Sequence, residues 1–412
     1  MPERDTAAGR GSTALDRSPA HHRDPQAPPW PPGRNANPAR MRDDRNMITR
    51  LRALTRAWTT VVPVLAVVLL ALTWGRGLPA AVVVLVCVVL AGSVLAAVHH
   101  AEVVAHRVGE PFGSLVLAIA VTVIEVALIV TLMVDGGAKS ATLARDTVFA
   151  AVMITCNGVV GLSLLVASLR HRTAVFNAEG TGGALATVAT LATLSLVLPT
   201  FTTSKPGPQF SGVQLTFAAL SSLILYAVFV TTQTVRHRDY FLPITRQGQV
   251  ITSEDHAERP SARTAWTSLG LLALALVGVV GLAKGVSPTI ESGVAAAGLH
   301  HAVVGVIIAL LVLLPETIAA LRSARRDRVQ TSLNLALGSA MASIGLTIPA
   351  VALASVWLSG PLVLGLGPTH MLLLLLTVVV ASLTVVPGRA TLLQSGVHLV
   401  IFAAYLELAI NP

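Results

Sequence analysis

The sequence predicts an all-α polytopic membrane protein of eleven transmembrane helices, one helix followed by two inverted five-helix repeats. Three observations predict it. The 412 residues are 53% hydrophobic and only 12% charged, against about a quarter charged in ordinary soluble domains. Eleven runs of bilayer-spanning length follow one another. The number of runs on each side of a central polar loop is odd once the first helix is set aside, which forces the two halves into opposite orientations.

Residues 1–50 are a different material, rich in Pro, Arg, Asp and His (HHRDPQAPPWPPGRNANPAR) and without apolar periodicity; they read as a disordered tail. Met41 and Met47, just ahead of the first apolar run, are alternative starts. A cleaved signal peptide over Leu51 to Ala81 is the weaker reading, because the apolar stretch is long and more spans follow.

In order, the runs are Trp58 to Trp74, Leu78 to Val98, Phe112 to Val134, Val148 to Leu169, Gly183 to Thr202 and Val213 to Val235. A polar loop over residues 236–265 then divides the chain. The second half holds Trp266 to Val286, His301 to Leu321, Ser332 to Ser355, His370 to Val386 and Leu392 to Ile410. Residues 58–235 are thus the first helix plus the first repeat, and 266–410 the second repeat. Arginine collects in alternate loops, around Arg170, Arg236 and Arg322, while the opposite loops keep only Arg76, Lys139, Arg145, Lys205 and Lys284. That bias places the N-terminus in the cytoplasm, the C-terminus outside and the chain in the cytoplasmic membrane.

The formal charge of +9 comes from the tail and the loops rather than from one amphipathic face, so the partner it implies is the lipid bilayer and not a nucleic acid. Cys87 and Cys156 both lie inside apolar runs, which argues against a disulfide framework or a thiolate metal site. HExxH, GxSxG and P-loop signatures are absent, so an enzyme or an ATP-driven pump is not expected, and no cofactor is implied.

The chemistry gathers at two positions. Glu125 sits mid-way in FGSLVLAIAVTVIEVALIVTLMV and Glu316 in HHAVVGVIIALLVLLPETIAALRS, 191 residues apart. A carboxylate at such depth costs about 2.5 to 3.5 kcal/mol on insertion scales and marks a functional site. Brought together from the two repeats, the pair offers up to four oxygens to a metal cation, and protons compete for the same atoms. Exchange follows from that competition. Pro315 and Pro349 cannot donate to the carbonyls of Leu311 and Gly345, which become candidate backbone ligands.

Small polar residues line the partner runs: Asn157, Gly158, Gly161 and Ser163 in one, and Ser332, Asn334, Gly338, Ser339, Ser343 and Thr347 in the other. VGLSL from Val160 matches IGLTI from Ile344, which sets Thr155 opposite Ser339. Asn157, Ser339 and Ser343 are the leading members of a cation and proton site, although such residues also serve close helix packing. His99, His100, His106, Glu102 and Glu110 form a polar segment ahead of the Glu125 run that can gather cations or sense pH, with a solvated loop as the plainer reading. His300 and His301 lie at the opposite mouth. His398 and Glu407 read as structural or interfacial.

The segments HHAEVVAHRVGEPFGSLVLAIAVTVIEVALIVTLMV, RDTVFAAVMITCNGVVGLSLLV and LVLLPETIAALRSARRDRVQTSLNLALGSAMASIGLTIPAVALAS resemble ChaA-type calcium/proton antiporters of the cation/calcium exchanger superfamily. The resemblance covers most of residues 58–410. It implies the cation/calcium exchanger fold, an acidic ligand from each repeat at Glu125 and Glu316, small polar positions near Asn157 and Ser339 to Ser343, and export of Ca²⁺ against H⁺. Many calcium/proton exchangers carry Gly-Asn just ahead of each acidic residue, where this chain has Val121 and Thr122, and Val312 and Leu313. That departure keeps Na⁺ or K⁺ exchange open as an alternative; a membrane scaffold or enzyme built on the same two glutamates is the more distant one.

Overall fold

The computed structural model describes residues 57–109, 112–136, 141–244, 260–300, 302–357 and 360–411. The N-terminal tail, the alternative starts, Glu110, His301 and most of the central loop lie outside them. What is described is almost wholly helical, as it must be where backbone N–H and C=O groups have no water to bond.

The helices are α1 (Ala57–Thr73), α2 (Ala80–Val108), α3 (Phe112–Gly136), α4 (Leu143–His171), α5 (Ala178–Phe201) and α6 (Gly212–Arg236), then α7 (Ala262–Ala296), α8 (Ala302–Val312), α9 (Leu314–Arg325), α10 (Val329–Ala354), α11 (Pro368–Val385) and α12 (Leu392–Ile410). Among the described residues eight helices are long and apolar enough to cross a membrane. The bent pair α8 and α9 makes a ninth if it is one span, and α1 and the Ile119–Thr131 part of α3 are shorter apolar helices.

Helix ends follow local chemistry. The Asn177 side chain accepts from the backbone of Glu179 and Gly180 at the start of α5, and Ser211 with Gln214 and Thr391 with Gln394 form capping boxes at α6 and α12. Three single π-turns interrupt the α geometry, at Ile154–Val159 in α4, Thr193–Val197 in α5 and Thr232–Arg236 in α6. Between α8 and α9 the chain bends by 54°, where Pro315 removes a helix donor.

Two expected boundaries are corrected. The second span does not end at Val98: α2 runs on to Val108, so His99, His100, Glu102 and His106 are on helix turns and not in a loop. The seventh continues past Val286 to Ala296 with Pro288 inside it.

Connections far apart in sequence meet in space. β1 (Thr173–Val175), after α4, pairs antiparallel with β2 (Arg389–Thr391), after α11, with Ala174 opposite Ala390. His171 bonds Asp327 on the same face. On the other face the α10–α11 connection donates from Val363, Gly365 and Leu366 to the carbonyls of Ala141, Pro208 and Leu196.

The apolar interior is divided. One cluster joins α4, α5, α6, α10, α11 and α12. A second joins α1, α2 and α7. Helix α3 contributes Ile124 and Leu128 to the second cluster and Ile129 to the first, so it straddles the boundary, as does the α8–α9 break through Val312 and Leu313.

Candidate functional site

At that boundary lies a cavity of about 170 Å³. Glu125 reaches it from α3, where one carboxylate stands in a face otherwise committed to packing. The residue is 4% exposed, and the Ser343 hydroxyl on α10 donates to its Oε1 at 2.5 Å. Glu316 reaches the same cavity from the first turn of α9. The 54° break is what delivers it there, and the uncommitted N–H groups of a helix start favour a negative charge. Its Oε2 is buried with no hydrogen-bond partner among the described residues. The two predicted carboxylates therefore share one cavity, together with Ser339 and Ser343 from α10.

Chemically, the cavity is lined by two carboxylates, the hydroxyl-bearing Thr122, Tyr226, Ser339 and Ser343, and the amides of Gln233 and Asn334, among apolar side chains. A cation there is held by charge, and a proton on either carboxylate removes part of that hold. Among the described residues no group of three or more His, Cys, Asp or Glu side chains could hold a metal ion.

Other expected members are elsewhere. Asn157 does not line the cavity. It is fully buried on the far side of α4, where its Nδ2 donates to Thr377 Oγ1 at 2.9 Å and its Oδ1 meets His398 Nδ1 at 3.1 Å. The Thr155 hydroxyl bonds back to the Ala151 carbonyl at 2.7 Å and does not line the cavity either. Leu311 faces a separate small apolar cavity. Gly345 serves packing, since a Cβ there would stand 2.8 Å from the Tyr226 Cβ; neither residue lines the carboxylate cavity.

The remaining small polar residues divide similarly. Gly158 and Gly161 let α12 approach α4, the first against Phe402 and the second against Leu399 and His398. The Ser332 hydroxyl bonds Ser163 at 2.7 Å, linking α10 to α4. Gly338 and Asn334 line the cavity.

The accessory groups do not reach it. His99, Glu102 and His106 are exposed near the end of α2, whereas His100 is buried with its Nε2 2.9 Å from the Thr59 carbonyl of α1. His300 is exposed and its Nδ1 accepts from the Ala302 backbone. His398, read as structural, is a buried hub whose Nε2 lies 3.2 Å from Thr384 Oγ1, and Glu407 accepts from Asn411 near the end of the chain.

The sequence predicts α6 as a span but not its part in the cavity. Its Tyr226, Phe229, Val230 and Gln233 complete the cavity wall, and their i, i+3, i+4, i+7 spacing was the available signal. Val121, Thr122 and Leu313 also line the cavity, Val121 standing at the glycine position and Thr122 and Leu313 at the amide positions of the Gly-Asn pairs.

Residues 78–235 and 267–411 match the family model for the sodium/calcium exchanger protein. The protein y4hA of Sinorhizobium fredii is 47% identical over 362 residues, 86% of this chain and 96% of that one. The sodium-potassium/proton antiporter ChaA of Escherichia coli is 34% identical over 351 residues, 84% of this chain and 94% of that one. In structure, native YfkE superposes with a TM-score of 0.64 over 86% of this chain and 99% of its own, and the H⁺/Ca²⁺ exchanger CAX with 0.62 over 87% and 88%, each at 15% identity.

Proposed function

We infer the function from family and site together: the chain belongs to the sodium/calcium exchanger protein family, and it is a multi-pass membrane cation/proton antiporter. The observation that carries the mechanism is the shared cavity of Glu125 and Glu316. Two ionised carboxylates in one apolar cavity repel each other unless a cation or protons neutralise them. Cation and proton therefore alternate at one site, and a protein that exposes the loaded site first to one side and then to the other exchanges them.

The architecture we propose is eleven spans: α1, then α2 to α6, then α7 to α12 with α8 and α9 as one broken span. Parity supports it. The β1 and β2 connections meet on one face, so the spans between them must be even in number; α5, α6, α7, α10 and α11 make five and the broken pair supplies the sixth. The bonds from Val363 to Ala141 and from His171 to Asp327 obey the same rule. Residues 58–235 and 266–410 then carry the two inverted repeats, with the N-terminus cytoplasmic and the C-terminus outside the cytoplasmic membrane.

For the ion, the four carboxylate oxygens with Ser339 and Ser343 support Ca²⁺ export as the first reading. The second is Na⁺ or K⁺ exchange, favoured by Leu313, which stands at an amide position and gives the cavity wall no oxygen-bearing side chain, by Thr122, which offers a hydroxyl in place of the other amide, and by the likeness to a sodium-potassium/proton antiporter. Everted vesicles with an imposed pH gradient test both: CaCl₂, NaCl and KCl added separately rank the ions by how far each collapses the gradient. Glu125→Gln is expected to abolish the response, and a variant that transports like the wild type would remove Glu125 from the site.

A further inference from the structure

We propose that Gln233 forms a second cation subsite, at the end of the carboxylate cavity nearest the α6–α7 connection, and that its amide oxygen helps decide which cation reaches Glu125 and Glu316. The proposal rests on the antiporter reading above.

Gln233 is the last of four α6 residues that face the cavity; Phe229 and Val230 supply apolar surface, and Tyr226 a ring with a phenol hydroxyl. Seven residues, roughly 10 Å of helix, separate it from Tyr226. Tyr226 packs on Gly345, two residues beyond the Ser343 that bonds Glu125. Gln233 is therefore displaced along α6 from the level at which Tyr226 packs on α10, and it faces the same cavity.

A second amide lines this end, and it is already committed. Asn334 Nδ2 donates to the Phe241 carbonyl at 2.6 Å, and its Oδ1 accepts from Gln330 at 2.8 Å. The half-buried Gln233 amide has no hydrogen-bond partner among the described residues. Nor do its neighbours compete for it: the hydroxyls of Thr232 and Thr234 bond back to the carbonyls of Val228 and Val230.

An amide facing a cavity with no protein partner is a group with capacity for a ligand. The π-turn at Thr232–Arg236, closed by His237 N–H to the Thr232 carbonyl at 2.8 Å, is a distortion of the kind that recurs at functional sites. Its chemistry suits an alkali or alkaline-earth cation that exchanges part of its water for a neutral carbonyl oxygen. A cation passing between this end and the carboxylates meets that oxygen, and charge then takes over at the glutamates.

The test measures the half-saturating concentrations of CaCl₂, NaCl and KCl for proton movement in everted vesicles, for the wild type, Gln233→Leu and Gln233→Glu. Elution profile and thermal midpoint identify which variants are folded. Removing the oxygen in Gln233→Leu is expected to raise the half-saturating concentration of the transported cation about tenfold. Gln233→Glu, which keeps length and polarity, is expected to favour Ca²⁺ over Na⁺ and K⁺. A folded variant of either kind that keeps the wild-type value for all three cations overturns the subsite. Wild-type vesicles that move no protons with any cation would instead overturn the antiporter reading, which separates the two failures.

Discussion

Asn157 and Ser343 show how position on a helix decides what a small polar side chain does. Ser343 touches the carboxylate of Glu125; Asn157 holds α4 against α11 and α12 through Thr377 and His398. The Thr377 hydroxyl donates to the Leu373 carbonyl, so its oxygen is free to accept from Asn157 Nδ2. That fixes the amide and leaves Oδ1 to accept from the Nδ1–H of His398. Asn157→Ala leaves the His398 Nδ1–H without its acceptor in an apolar interior, where an unmade hydrogen bond costs about 1–3 kcal/mol. The expected outcome is a lower thermal midpoint with an unchanged half-saturating cation concentration; a selective loss of cation affinity would return Asn157 to the binding site. Sequence alone does not show which way the Asn157 side chain faces. The π-turn Ile154–Val159 inserts an extra residue into the turn, so a 3.6-residue periodicity carried through α4 does not fix the direction of Asn157.

At the scale of elements, the long apolar runs were legible because the bilayer leaves the backbone little choice. The break after Val312 was legible only in part. Pro315 announces a lost donor, but the direction of the 54° bend depends on neighbours that no local pattern encodes. Helix α6 was read as a plain span because the side chains that face the cavity, Tyr226, Phe229 and Val230, look like ordinary membrane residues until α3, α9 and α10 are placed around them. Its fit against α10 is close at one point, Gly345 under Tyr226. Gly345→Ala puts a methyl into that contact and is expected to cost about 1–3 kcal/mol while pushing Tyr226 toward the cavity. Slower transport should accompany the stability loss, and normal transport by a destabilised variant would show that the Tyr226 wall is not critical to the pathway.

For the whole molecule, loop charge predicts which face is cytoplasmic, and the paired connections predict which loops share a face. Single cysteines at Thr203, in the α5–α6 connection, and at Arg326, in the α9–α10 connection, test both after Cys87→Ala and Cys156→Ala. A membrane-impermeant maleimide should label Thr203→Cys in intact cells and Arg326→Cys only in everted vesicles. Labelling of both from the same side would sink the eleven-span topology.

The division of the apolar interior into two clusters bears on motion. A bundle with one continuous core must expose packed surface to change shape, and dispersion within that core resists it. Here Glu125 sits on a helix shared by the two clusters, so a shift of one body against the other can leave most of each interior intact. The resistance then comes chiefly from contacts across the boundary, with the Ser343 to Glu125 hydrogen bond among them. In mechanical terms a rocking of one body on the other would be a soft mode of an otherwise stiff structure, and on the binding site proposed above the Glu125 carboxylate is among the atoms that set its spring constant.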